Sequence, residues 1–113
     1  MFASGAATKA QQAQDTTSEL NALATQRVQA GKEEELEAIL RDQATTLAND
    51  KGCPRYDWYR ASTPQPYILL ERWADQAAAQ DHLNAPHVVS AVEKLLPLVP
   101  GGEIPKAVRI TKL

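Results

Sequence analysis

The run YILLERW, Tyr67 to Trp73, opens with four apolar residues in succession. A half-exposed antiparallel strand alternates apolar and polar positions, so a strand here carries apolar groups on both faces. Upstream, ELNALATQRVQ (Glu19 to Gln29) sets Leu20, Ala22, Ala24 and Val28 on one side and Leu23 and Arg27 on the other. It stops at Ala30-Gly31, which marks a first strand. KEEELEAILRDQATTLAND spaces Leu36, Ile39, Leu40, Gln43 and Leu47 helically, behind glutamates in the opening turn where the dipole favours anions. Glu37 and Arg41 form a helical pair. After the KGCP break, RYDWYRAS (Arg55 to Ser62) reads as an aromatic-rich second strand. TPQP, whose prolines lack the ladder N–H, is a hairpin loop into the third strand, Tyr67 to Trp73.

Asp75 is placed to cap a helix through QAAAQDHLN, and Asn84 with Pro86 fits a new start for HVVSAVEKLLPLV. Val88, Val92, Leu95 and Val99 stripe that segment, and Pro97 weakens or ends it. Beyond the PGG turn, AVRITKL (Ala107 to Leu113) alternates as a fourth strand. The order β-α-β-β-α-β, with the second helical stretch split, predicts an α+β ferredoxin-like fold, with helices on one face of a four-stranded antiparallel sheet. Ile68 and Leu70 point away from Tyr67, Leu69 and Trp73, so the helices leave an apolar face uncovered. Such a patch spans several hundred Å², more than a monomer usually shows. A second copy of the chain is its simplest cover, and a homodimer is expected.

Composition narrows the classes. At 113 residues the chain is one domain, burying roughly 60 to 70% of its unfolded surface. The formal net charge of −2 offers no basic excess for a phosphate backbone, so nucleic acid is not an expected partner. No apolar run approaches the ~20 residues of a membrane span, and MFASGAATKAQQAQ lacks the apolar core of a secretory signal. Neither a membrane partner nor export is expected, and the cytoplasm is the default. Residues 1–18, rich in Ala, Gln, Thr and Ser, are expected as a flexible tail before a domain at 19–113. Cys53 is the only cysteine, which precludes an internal disulfide and a thiolate metal cluster.

AGKEEELEAIL, GCPRYDWYR and LLERWADQAAAQDHLNAPHV resemble, in order and spacing, the antibiotic biosynthesis monooxygenase (ABM) domain family. The resemblance runs from about residue 20 to 113 and is most specific from Glu71 to His87. Ala30-Gly31 stands where the family more often has Pro-Gly. The resemblance implies a dimeric α/β barrel and a cofactor-independent monooxygenase that uses O₂ on a quinol or a phenolic or polycyclic aromatic small molecule. Alternatives within the same fold are a cofactor-free isomerase of a small carbonyl metabolite and a non-catalytic small-molecule-binding dimer. In the haem-degrading branch the haem-ligating histidine aligns with about Val92 and the first-strand asparagine with about Gln26. Valine cannot ligate iron, so no haem is expected, and no other cofactor or metal.

Cofactor-free oxygenation needs a base, a dry pocket and donors for a developing oxyanion. His82 and His87 are the only imidazoles. His87 is expected as the base, because the positive end of a helix dipole favours the neutral ring. Trp73 is expected to stack on a flat substrate and donate its indole N–H. Tyr56, Trp58, Tyr67, Arg72 and His82 complete the expected substrate-binding set. Packing roles stand beside these: His87 at a helix start, His82 facing solvent, the aromatics in the core or a dimer interface, Arg72 paired with a carboxylate. His82 and His87, five apart across a helix break, match no metal signature. PGGE precedes a strand and forms no phosphate loop.

Overall fold

A computed structural model of the chain describes residues 19–47, 49–62, 65–104 and 106–113. The expected tail, residues 1–18, lies outside the described residues. The chain folds as β1 (Leu20–Gln26), α1 (Glu33–Leu47), β2 (Arg55–Arg60), β3 (Tyr67–Trp73), α2 (Gln76–Asn84), α3 (Pro86–Leu95) and β4 (Val108–Ile110). The strands form one antiparallel sheet in the order β2-β3-β1-β4, the α+β ferredoxin-like arrangement. Among the described residues no helix is long and apolar enough to cross a membrane.

Strand alternation sorts the sheet into two faces. Tyr67, Leu69, Glu71 and Trp73 are buried toward the helices, while Ile68, Leu70 and Arg72 on the other face are half-buried. Register carries the sorting across strands, with Ala22 opposite Glu71, Ala24 opposite Leu69, Tyr56 opposite Glu71 and Trp58 opposite Leu69. The helix-facing groups make two core clusters. Ala24, Leu47, Tyr56, Leu69, Trp73 and Val88 form one, and Val28, Leu36, Leu40, Tyr67, Leu95 and Leu98 the other, with Trp58 packed against both. The α1 stripe is buried as its spacing predicts, through Leu36, Leu40, Gln43 and Leu47.

Differences from expectation are confined to element ends. β1 stops at Gln26 although Val28 is buried. Beyond it the Gln65 side chain replaces a strand partner, accepting from the Val28 N–H at 3.1 Å and donating to its carbonyl at 2.7 Å. β2 ends at Arg60 and not Ser62. β4 keeps three of the seven expected residues, all exposed, because it pairs along one edge with β1 and has no strand beyond it. Asp75 caps α2, accepting from the Ala78 N–H at 2.8 Å. Asn84 does not cap α3. Its amide donates to the Gln80 carbonyl at 3.1 Å, and α3 starts from Ala85 with Pro86 in the first turn, where a missing N–H costs nothing. Pro97 ends α3 at Leu95, and a 3₁₀ turn covers Leu96–Leu98.

The α1–β2 turn is fastened to the start of α2 at Gly52. Its φ is +79°, its carbonyl accepts from the Ala74 N–H at 2.8 Å, and a Cβ there would sit 2.8 Å from the Ala78 Cβ. Strained φ and overlap act together, so Gly52→Ala should lower unfolding free energy by about 2 kcal/mol or more, read as the urea midpoint. An unchanged midpoint would show that this turn is not held by the contact.

Candidate active site

Between the helix-facing side of the sheet and the helices lies a cavity of about 540 Å³, within the range of small-molecule sites. Its space comes from β1, where Ala22 and Ala24 are small residues on a floor otherwise carrying Tyr56, Trp58, Leu69, Glu71 and Trp73. Gln43 of α1, His82 of α2 and Val88 of α3 also line it. Ile104, Lys106 and Arg109, all exposed, stand at the β4 side.

Trp73 is 3% exposed, and its indole N–H donates to Glu71 Oε1 at 2.6 Å. The His82 ring lies against it with centroids 4.5 Å apart and planes tilted by 36°, and Tyr56 meets Trp73 edge-on at 6.5 Å. Two cavity-lining residues carry fully buried side-chain polar atoms without a partner among the described residues, Gln43 Oε1 and His82 Nδ1, while the Trp58 N–H acts on the Tyr56 hydroxyl. Such atoms are rare in folded proteins and call for a water or a ligand.

Burial dominates the electrostatics. It raises the Glu71 carboxyl above the usual carboxylate range, against the Trp73 N–H, which favours the ionised form. It lowers His82, partly offset by Asp50, so the ring is neutral at physiological pH. It raises the Tyr56 phenol, and the neighbouring Glu71 adds to the effect. A carboxylate, a phenol and an imidazole are thus each displaced by desolvation in one apolar cavity, which makes it the candidate site.

The sequence profile of the antibiotic biosynthesis monooxygenase (ABM) family matches residues 20–94. The chain belongs to the ABM family. Solved structures of similar fold include a Caulobacter crescentus CB15 protein assigned to the antibiotic biosynthesis monooxygenases, at 26% identity and TM-score 0.76 over 86% of this chain and 92% of that one. Rv0793 from Mycobacterium tuberculosis matches at 21% identity and TM-score 0.76, over 85% and 96% of the two chains. PA3566 from Pseudomonas aeruginosa matches at 24% and 0.76, over 86% and 96%. No curated protein matches the chain.

Of the residues expected to do chemistry in this ABM domain, Tyr56, Trp58, Trp73 and His82 meet in the cavity and three do not. His87 lines a separate groove between α1 and α3, with Nε2 3.0 Å from Asp50 Oδ2. One residue is 100° around a helix, so Val88 faces the cavity while His87 faces the α1–β2 turn. Tyr67 shares the helix side but sits six residues, about 20 Å, along β3 from Trp73. Its hydroxyl donates to Glu37 at 2.7 Å, and burial with that bond pushes its pKa up to about 12. Arg72 is on the other face of the sheet, where its Nε donates to Asn21 Oδ1 at 3.1 Å. The stacking surface of Trp73 is not open either: His82 lies on it, and the N–H expected to meet substrate is held by Glu71. Cys53, half-buried, has its thiol raised to about 11 by burial, which disfavours the reactive thiolate.

Glu71 was not among the expected site residues. Its signal was the alternation of YILLERW, which sets a carboxylate in phase with Tyr67, Leu69 and Trp73. Because its pKa is raised in the folded state, its contribution to stability is complete below the unfolded value near 4.3 and is lost as pH rises through the folded value. Glu71→Gln should therefore gain stability on wild type as pH increases from about 4 to 8, measured by urea unfolding across that range. A pH-independent difference would mean that the carboxylate is not desolvated.

Proposed function

We propose that the chain works in the cytoplasm as a cofactor-independent monooxygenase on a quinol or phenolic aromatic, as a homodimer that closes an α/β barrel. The observation that carries this reading is the aromatic-walled cavity, in which a neutral His82 and a buried carboxylate meet. Family membership and the likeness to the Caulobacter protein support monooxygenase chemistry in general. The chemistry of the walls supports a quinol: Trp58, Tyr56 and Leu69 offer flat apolar contact, and unpartnered polar atoms of His82 and Gln43 can orient ring oxygens. Such a substrate supplies every electron itself. Hydroquinone plus O₂ gives hydroxybenzoquinone plus water, one oxygen atom entering the ring and the other leaving as water. The protein then has to bind, desolvate and move protons, all of which the cavity groups can do.

The expected result is oxygen uptake with members of a hydroquinone panel, reduced about 100-fold by His82→Ala and far less by His87→Ala. Equal losses in the two variants would mean that His82, at the cavity wall, takes no more part in turnover than His87. Product formed from a carbonyl substrate without oxygen would replace the monooxygenase by an isomerase, and binding with no product would leave a binding protein.

The dimer is proposed on the open sheet face. There Leu23, Ile68 and Leu70 are half-buried, and Val108 and Ile110 are 60% and 41% exposed, forming one apolar band across the strands. Sedimentation equilibrium at micromolar concentration should give twice the chain mass, and Leu70→Lys should shift it toward the monomer. A folded monomer in the unmodified chain would remove the barrel from this reading.

A further inference from the structure

We propose that Glu71 is the base that takes the hydroxyl proton of the bound aromatic, and that Trp73 is the positioning residue that tunes it. This rests on the reading of the cavity as a quinol or phenol site. A row of helix-facing residues crosses the sheet in the order Tyr56 (β2), Glu71 (β3), Ala22 (β1) and Arg109 (β4). Ala22 leaves open space beside the carboxylate, and Arg109 follows two strands away, about 10 Å from Glu71. Gln43 from α1 and His82 from α2 line the same space.

Glu71 is the only carboxylate among the lining residues and is 8% exposed. Oε1 accepts from Trp73, while among the described residues Oε2 has no hydrogen bond and no cation lies within ion-pair distance of either oxygen. One neutral N–H does not compensate a buried carboxylate, so packing alone does not account for it. A charge kept at such cost beside open space fits a group that must exchange a proton there.

The step balances. The substrate O–H breaks, its electron pair stays on oxygen as phenolate, and the proton joins Oε2. The phenolate passes an electron to O₂, and recombination gives a ring peroxide anion. Glu71 returns its proton to that anion, and the hydroperoxide loses water to leave the quinone. Burial brings the carboxylate closer to the phenol range near 10, easing the first transfer. The Trp73 N–H acts against that burial and favours the ionised form.

The test uses the full chain with 1,4-dihydroxynaphthalene. Glu71→Gln keeps an acceptor for Trp73 but no base, and should lower kcat about 100-fold or more. Trp73→Phe removes the donor that favours the ionised form, and should move the acid limb of kcat/KM to higher pH. Loss of a merely structural contact would lower the profile without moving that limb. A rate in Glu71→Gln within about threefold of wild type, or an unmoved limb in Trp73→Phe, overturns the proposal while leaving the monooxygenase reading standing. If wild type consumes no oxygen with any quinol, that reading fails, and tryptophan fluorescence titration with 1-naphthol and 1-methoxynaphthalene decides the role of Glu71 without turnover. Wild type should prefer the hydroxyl compound about tenfold, and Glu71→Gln should lose the preference. Equal affinities in wild type, or no binding of either compound, overturn the assignment.

Discussion

The antiparallel pairing of β1 with β3, Leu20 opposite Trp73 through Gln26 opposite Tyr67, decides which side chains meet beneath the helices. Side chains along a strand have a period of two, so a slip of one residue would turn Glu71 and Trp73 outward and bring Arg72 and Leu70 inward. The cavity depends on the same register from the other side. Ala22 and Ala24 stand opposite Glu71 and Leu69, so the small residues fall where the larger ones need room in front of them. Leucine at either position would fill the floor with aliphatic carbon.

The buried carboxylate is the point at which stability and chemistry oppose each other. Burial between Tyr56 and Ala22 beneath the helices desolvates Glu71, and the Trp73 N–H offsets only part of the cost. Elsewhere the chain treats its carboxylates differently. Glu37 accepts hydrogen bonds from Tyr67, Arg60 and Arg41 at the margin of the second cluster, and these hold its pKa below the usual range. One glutamate is thus fully paired and the other nearly uncompensated.

The two histidines show how finely tertiary placement divides neighbours in sequence. Both belong to the Glu71 to His87 stretch that carries the family resemblance, and both are imidazoles near helix ends. Asp75 starts α2 so that His82 lies on Trp73, and Ala85 restarts the chain so that His87 meets Asp50 in a different groove. A one-residue change in the start of α3 would exchange the exposures of His87 and Val88.

Element types, their order and the two-faced third strand were legible in the chain, because alternation, helical spacing, Pro and Gly breaks and the Asp75 cap are local and mutually consistent. The α+β ferredoxin-like fold follows from them. Strand lengths were not legible at the edges: β4 is trimmed to Val108–Ile110 by the lack of a neighbour, and the end of β1 is handed to the side chain of Gln65. Which aromatics converge also lay beyond the sequence, since Tyr67 and Trp73 share a phase yet sit at opposite ends of one strand. The role open to Glu71 was present only as a phase in YILLERW. The desolvation of that carboxylate arose only when folding placed it under the helices, next to an indole and a gap, because desolvation is a property of the assembled surroundings and not of the residue.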